Sequence, residues 1–300
     1  MSRHPIGAFA APFLLLAACA TAGGGGDLAA IEAGAEVGRS LRAAPARAAE
    51  VGTARFEVVV STSDGEETLA LTTTGSADGA AGELAMELDV RGLLGDVPDD
   101  ELPPGLGEPA RVVIADQTIY LRIPLLDELT GTSGWLAASR AELAAPRSSA
   151  PGGGRGVYDP FALLDLLRGV TDDVESEGHD EVRGVPTTRY SASVHLDDAL
   201  ALVPDDRRDA LQAQLDRLDV AAGALAVKVW VGDDGLVRRL AMAIPGPAAT
   251  DEDDEVTVTI TIELFDYGQP VSIAVPPPDE VTPYGEAMAA MARAFLEAGP

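Results

Sequence analysis

The chain has 300 residues, 46% of them hydrophobic and 4% aromatic, with a formal net charge of −28. Twenty arginines and a single lysine, Lys228, oppose 49 acids, and such a surface repels phosphate backbones and anionic headgroups, which excludes nucleic-acid binding and electrostatic membrane docking. The apolar content is that of a folded domain rather than a disordered tail.

Residues 1–18 read as an export signal. Arg3 supplies the positive n-region, and Ile6–Ala18 is apolar except for Pro12. A bilayer span needs about 20 apolar residues, so this shorter run suits a signal h-region. It ends in Leu16-Ala17-Ala18-Cys19, which resembles a bacterial lipobox, and Cys19 is the only cysteine. The resemblance implies that its sulfur takes a diacylglyceryl group and that cleavage leaves Cys19 as the lipidated first residue. One cysteine cannot form a disulfide within the chain. A catalytic thiol needs a folded electropositive pocket, whereas Cys19 is followed by a glycine-rich tether over 19–27.

Asp27–Val51 is alanine-rich with helical spacing and predicts a helix broken before Pro45. From Arg55 the period changes to two. "RFEVVVSTSDGEETLALTTTG" predicts a hairpin around Ser63-Asp64-Gly65, and "GELAMELDVRG" a third strand with Leu84, Met86, Leu88 and Val90 on one face. The Pro/Gly/Asp-rich loop 95–109 leads to a second hairpin, "ARVVIADQTIYLRIP", turning near Ala115-Asp116-Gln117. The low-complexity stretch 145–156 reads as a surface loop within one domain. "YDPFALLDLLRGV" predicts a helix with Asp159 as N-cap and Pro160 at its first position. Two strands follow over 172–196, then a short helix and a longer one capped by Asp205 or Asp206. "ALAVKVWVGDDGLVRRLAMAIPG" predicts a hairpin turning at Asp233-Asp234-Gly235. "EVTVTITIELFDYG" alternates strictly, with Val256, Val258, Ile260, Ile262 and Leu264 on one face, each worth about 1.5–3 kcal/mol if fully buried. Met288, Met291, Phe295 and Leu296 form a stripe on a final helix.

Strands joined by tight turns, each apolar on one side, describe an antiparallel sheet with one face in water. The helices are too few to cover both faces and must gather on the apolar one, so the class is α+β. No motif of an enzyme accompanies it. His179 and His195 are the mature chain's histidines, "GTSG" at 131–134 is not a nucleophile elbow, and no phosphate loop, HExxH or Cys/His zinc set occurs. "GDDG" at 232–235 reads as a turn and "TDEDDE" at 250–255 as a solvated loop, so no metal and no cofactor is expected.

From "YDPFALLDLLRGV" onward the sequence resembles the LppX/LprAFG lipoproteins of actinobacteria. The resemblance is carried by the order of pieces: signal with lipobox, helix, two hairpins and the helix of Tyr158, Asp159, Pro160, Leu163 and Leu164. Glu177–Val194, Val227–Leu240 and Asp266–Val281 complete that order. The loop 145–156, the insert 250–255 and the terminal helix are departures from it. The chain thus divides into a signal peptide over 1–18, a lipidated tether over 19–27, a lipid-binding domain over 28–282 that the resemblance implies, and, outside the family's order, an amphipathic helix over 283–300. The resemblance implies a U-shaped half-barrel whose helices, on the concave side, enclose a hydrophobic cavity. It implies a monomeric extracytoplasmic carrier of acylated lipid or glycolipid, held to the cell membrane through acylated Cys19 and served by an envelope transporter. The alternative is an envelope adaptor or lipid-sensing regulator using the same fold. Alternation and face assignment nominate Met86, Leu88, Ile114, Phe161, Leu164, Val229, Met242, Val258, Ile260 and Ile262 as cavity residues. If Cys19 is the anchor, Cys19→Ala moves the protein from the membrane pellet to the soluble fraction; retention in the pellet would refute the lipobox assignment.

Overall fold

A computed structural model describes residues 26–63, 68–95, 97–130, 134–139, 142, 160–217, 223–245 and 257–298. The lipobox, the turn residues Asp64 and Gly65, the loops 145–156 and 250–255, Tyr158, Asp159 and Val256 lie outside the described residues.

The chain first lays down a meander: β1 (Thr53–Ser63), β2 (Thr68–Asp78), β3 (Glu83–Asp89), β4 (Ala110–Ala115), β5 (Thr118–Arg122) and β6 (Trp135–Ser139). It then crosses to the far edge and returns through β7 (Val170–Val182), β8 (Val185–His195), β9 (Ala224–Gly232), β10 (Val237–Pro245) and β11 (Thr257–Phe265). β11 pairs antiparallel with β1, so the two meanders join at the centre. A short β12 (Val281–Pro283) runs parallel to β6. The result is one open half-barrel sheet of 12 strands, ordered β12-β6-β5-β4-β3-β2-β1-β11-β10-β9-β8-β7.

The turns are set by residues that tolerate positive φ. Asp116 and Gln117 (φ 48° and 63°) close β4–β5 as a two-residue turn, and Arg183-Gly184 (φ 50° and 79°) close β7–β8. Gly235 (φ 75°) completes the β9–β10 turn, where Asp234 Oδ1 accepts the Leu236 N–H at 3.1 Å.

Helix α1 (Gly26–Val51) runs through Pro45 instead of ending before it. A proline removes one hydrogen bond and crowds the preceding turn, but buried Leu41 and Ala44 on one side of it and Ala48 on the other hold both halves to a common core. Tertiary packing outweighs the local break. Gly34 and Gly38 sit against the β7 backbone: a Cβ at Gly38 would lie 2.9 Å from the Thr171 carbonyl, and one at Gly34 3.2 Å from that of Asp172. Beside them the Arg42 guanidinium donates to Val170 O (2.6 Å) and Asp172 Oδ1 (2.8 Å).

The "YDPFALLDLLRGV" helix is α only over α3 (Pro160–Leu164), tightens to a 3₁₀ turn over Asp165–Gly169, and yields Val170 to β7. Within that turn Asp165 is fully buried, and its carboxylate must meet cations. Its Oδ1 accepts from Arg168 Nε at 2.8 Å, and its Oδ2 stands 3.0 Å from Arg207 on the following helices. Those helices are α4 (Leu196–Leu202) and α5 (Asp205–Arg217). The α5 helix begins at Asp205 itself, so Asp205 is not its cap. The Pro204 carbonyl accepts the N–H groups of Arg207 and Arg208, and Asp205 sits inside the first turn, paired with Arg208 at 2.6 Å. Periodicity gave no sign of α2 (Pro124–Thr130), β6 or β12, while the terminal helix appears as α6 (Tyr284–Ala298).

Because α1 reaches β7 only where side chains are missing, Gly38→Val should lower stability by about 1–3 kcal/mol through overpacking. Urea unfolding at constant slope is the check; an unchanged midpoint would mean that the close approach is dispensable.

Candidate functional site

Strand register sorts the side chains into rows. On the inward face Leu136, Leu121, Val112 and Met86 stand opposite one another across β6, β5, β4 and β3. The row continues through Gly75 and Phe56 to Leu264. Gly75 is needed there, since a Cβ would sit 2.5 Å from the Phe56 ring and 2.4 Å from the Ala85 carbonyl. The absent side chain lets the ring lie flat over β2.

All ten nominated residues face this side and belong to one apolar cluster. Met86, Leu164, Val229, Met242, Ile260 and Ile262 are buried, and Leu88, Ile114, Phe161 and Val258 are half-buried at its margin. Register pairs Met242 with Ile260, while Ile262 and Val229 flank Leu240 from opposite sides. Phe161 and Leu164 arrive from α3.

Cover is uneven. α1, the 165–169 turn, α4 and α5 pack on one another and along β7 and β8, and Val229, Leu240, Ile260 and Ile262 are completely enclosed. Towards the other edge Leu69, Leu71, Leu88, Ile114, Leu121 and Leu136 remain half-exposed. Four of these six (Leu69, Leu71, Leu121, Leu136) were absent from the sequence-based set. Strict alternation in "TIYLR" marks Leu121 as a candidate, but nothing in the sequence distinguishes a half-covered inward leucine from a fully covered one.

At the edge of that half-exposed strip is a cavity of about 420 Å³ between α2, β6, β12 and α6. Ile123, Leu126, Trp135, Leu136 and Met288 line it, with Asp127, Glu286 and Arg293 among its charged neighbours. A second depression, about 500 Å³, crosses β7–β11 on the opposite face and is lined mainly by small outward side chains such as Ser191, Ala226 and Ala243, with Lys228.

The outward face also carries a chain of charges. Glu263 accepts hydrogen bonds from Arg239 (2.9 Å) and Arg183 (2.6 Å), and Arg183 also reaches Glu57 (3.1 Å). Arg239 stacks over Trp230, whose indole N–H donates to Asp180 Oδ2 at 2.8 Å. Glu177 then gathers Arg189 (2.7 Å) and Lys228 (3.4 Å). Burial pushes the Glu263 carboxyl up, but the hydrogen bonds and charges of Arg239 and Arg183 outweigh it and hold it below 4.5. Asp180 is held below 3.8, first by the Trp230 hydrogen bond and then by the Glu181 N–H. Burial raises the Tyr267 hydroxyl above its ordinary value, in keeping with its bond to Val237 O at 2.9 Å. His195 is exposed on this face, and His179 is exposed too, beside Asp180 on β7. Among the described residues no group of three or more His, Cys, Asp or Glu could hold a metal ion, and no helix is long and apolar enough to cross a membrane.

No protein-family model and no curated protein matches the chain. Among solved structures it is similar to LprF from Mycobacterium bovis, with 15% identity, a TM-score of 0.44 and coverage of 80% of this chain and 97% of that one. It is also similar to the Mycobacterium tuberculosis lipoprotein LppX, at 14% identity and TM-score 0.42, covering 79% and 99% of the two chains. Both names belong to the group that the sequence resembles. A more distant likeness is the Pseudomonas aeruginosa MucA/MucB complex, with 12% identity, TM-score 0.23, and coverage of 81% and 99%. Likenesses of this size leave function to the chain's own geometry.

The depressed Glu263 and Asp180 carboxyls stabilise the fold above their unfolded values of 4.5 and 3.8, and that stability is lost as pH falls through the lower folded values. Glu263→Gln should therefore cost roughly 1–2 kcal/mol at neutral pH. The gap from the parent should close below pH 4.5, read from urea midpoints; a gap independent of pH would exclude the carboxylate's charge as its source.

Proposed function

We propose that the protein is a lipid-anchored, extracytoplasmic carrier that shelters acyl chains of a lipid or glycolipid against the inward face of its half-barrel. The observation that carries this reading is the strip of half-exposed apolar side chains across β2–β6. Complete burial of such a residue is worth about 1.5–3 kcal/mol, and here a part of it is still to be gained. An exposed apolar strip beside a cavity of a few hundred Å³ suits a ligand site. Leu88, Ile114, Leu121 and Leu136 would touch the chain, while Met86, Met242, Ile260 and Ile262 form the packed wall behind it. Affinity comes from apolar burial, with no covalent step. Acylated Cys19 would hold the carrier at the membrane, and an envelope transporter would supply or take the cargo.

Residues 20–300 keep every described element and lack the anchor. Expressed in a host with a lipid-rich envelope, they should co-purify with lipid that mass spectrometry identifies after extraction. Leu121→Gln should lower that occupancy several-fold while retaining a cooperative unfolding transition. Protein that is consistently free of ligand would overturn the carrier reading.

A further inference from the structure

The cavity at the β6 edge has a feature that the inward face alone does not explain: one of its walls is also the last element of the described chain. β12 contributes three residues, Val281–Pro283, paired parallel with Trp135–Ala137, and α6 follows at once. β12 is a very short edge strand, and α6 rests beside it on β6 and α2. The pairing depends on Gly134 (φ 141°), where a Cβ would stand 2.7 Å from the Glu280 carbonyl. Leu136 lines the cavity, and it begins the inward row Leu136–Leu121–Val112–Met86. Burial rises along that row, from the half-exposed Leu136 and Leu121 to the buried Val112 and Met86. The cavity and the apolar face of the sheet therefore share a continuous surface.

We propose that this cavity is the loading port for the lipid, and that α6 is the wall that moves to admit it. The inference rests on the carrier reading and names the route by which an acyl chain reaches the sheet. The lining supports one occupant, an amphipathic one. Ile123, Leu126, Trp135, Leu136 and Met288 suit a hydrocarbon chain, while Arg293, Glu286 and Asp127 suit a polar end that stays in water. The volume of about 420 Å³ falls within the roughly 300–1,000 Å³ of small-molecule sites. A protein side chain inserted from a partner would not need the continuation along Leu121 and Val112; an acyl chain does. The polar end would rest beside Arg293, whose Nε donates to Ala289 O at 3.2 Å, and the chain would run inward from Trp135.

The chain has two tryptophans, and the other, Trp230, lies in the outward charge network. Trp230→Phe in residues 20–300 thus leaves Trp135 as a single reporter at the port. The probe is phosphatidylcholine with acyl chains brominated close to the ester or close to the methyl end, with occupancy followed by native mass spectrometry. Bromine near the ester should quench Trp135 more strongly than bromine near the methyl end. Ala290→Phe, which fills the cavity, should slow loading roughly tenfold or more, as obstruction of a gating step does, at an unchanged melting temperature. Bound lipid without Trp135 quenching, or wild-type loading by Ala290→Phe, would overturn the port and leave the carrier reading standing. Absence of any bound lipid would overturn both.

Discussion

The architecture depends on the pairing of β1 with β11. Phe56 meets Leu264, Val58 meets Ile262, Val60 meets Ile260 and Thr62 meets Val258. This seam joins two meanders that are otherwise separate runs of local hairpins. Its residues are some two hundred positions apart in sequence, so closing it costs chain entropy that grows only slowly with separation. The register is what has to be right: a slip by one residue would turn Ile260 and Ile262 outward and bring Thr259 and Thr261 in. The strict alternation of β11 forbids that slip. β11 carries Val258, Ile260, Ile262 and Leu264 on one face and Thr259, Thr261 and Glu263 on the other, and the outward Glu57 and Glu263 share Arg183 across the seam.

Given that seam, the helices are held where side chains are missing or charges must be met. Gly34 and Gly38 let α1 approach β7 closely, and Arg42 ties it to Val170 and Asp172. Asp165, buried without solvent, requires both Arg168 and Arg207. That requirement links the 165–169 turn to α5, because losing one partner of a buried pair is costly. Phe56 over Gly75 does the same for the sheet itself, turning an absent side chain into room for a ring. Each device acts on the β1 and β7–β11 side or on the β1–β2 boundary.

What could be read from the sequence follows the range of the forces involved. Hairpins at Asp116-Gln117 and Asp233-Asp234-Gly235 were legible because turn chemistry is local, and the inward set around Ile260, Ile262 and Met242 because alternation is local too. The continuation of α1 through Pro45 was not, since it is secured by contacts of Leu41 and Ala48 with distant strands. Nor was the burial of Asp165, which is met by Arg207 some forty residues beyond it. β6 and β12 escaped notice because a short edge strand has too few residues for a period to emerge. Leu121 and Leu136 were missed as site residues for another reason: alternation assigns a face, and the degree of cover on that face is a tertiary property.

That unevenness of cover ties the fold to the proposed role. A sheet whose inward face were closed along its whole width would offer stability and nothing else. Here the β7–β11 half is covered by α1, the 165–169 turn, α4 and α5, while Leu69, Leu71, Leu88, Ile114, Leu121 and Leu136 on β2–β6 stay half-exposed. A rigid half fixes the curvature and register of the other, so the open strip keeps its shape while unoccupied. Pre-organisation of this kind reduces the cost of binding, because the ligand need not order its own site. The element bordering the strip, α6, follows the three-residue strand β12 and packs on β6 and α2, whereas the buried ion pairs of Asp165 lie on the covered half. Full cover on one side and partial cover on the other is the distribution expected where cargo must both stay and leave. The same asymmetry would be without purpose if the core were required only to be full.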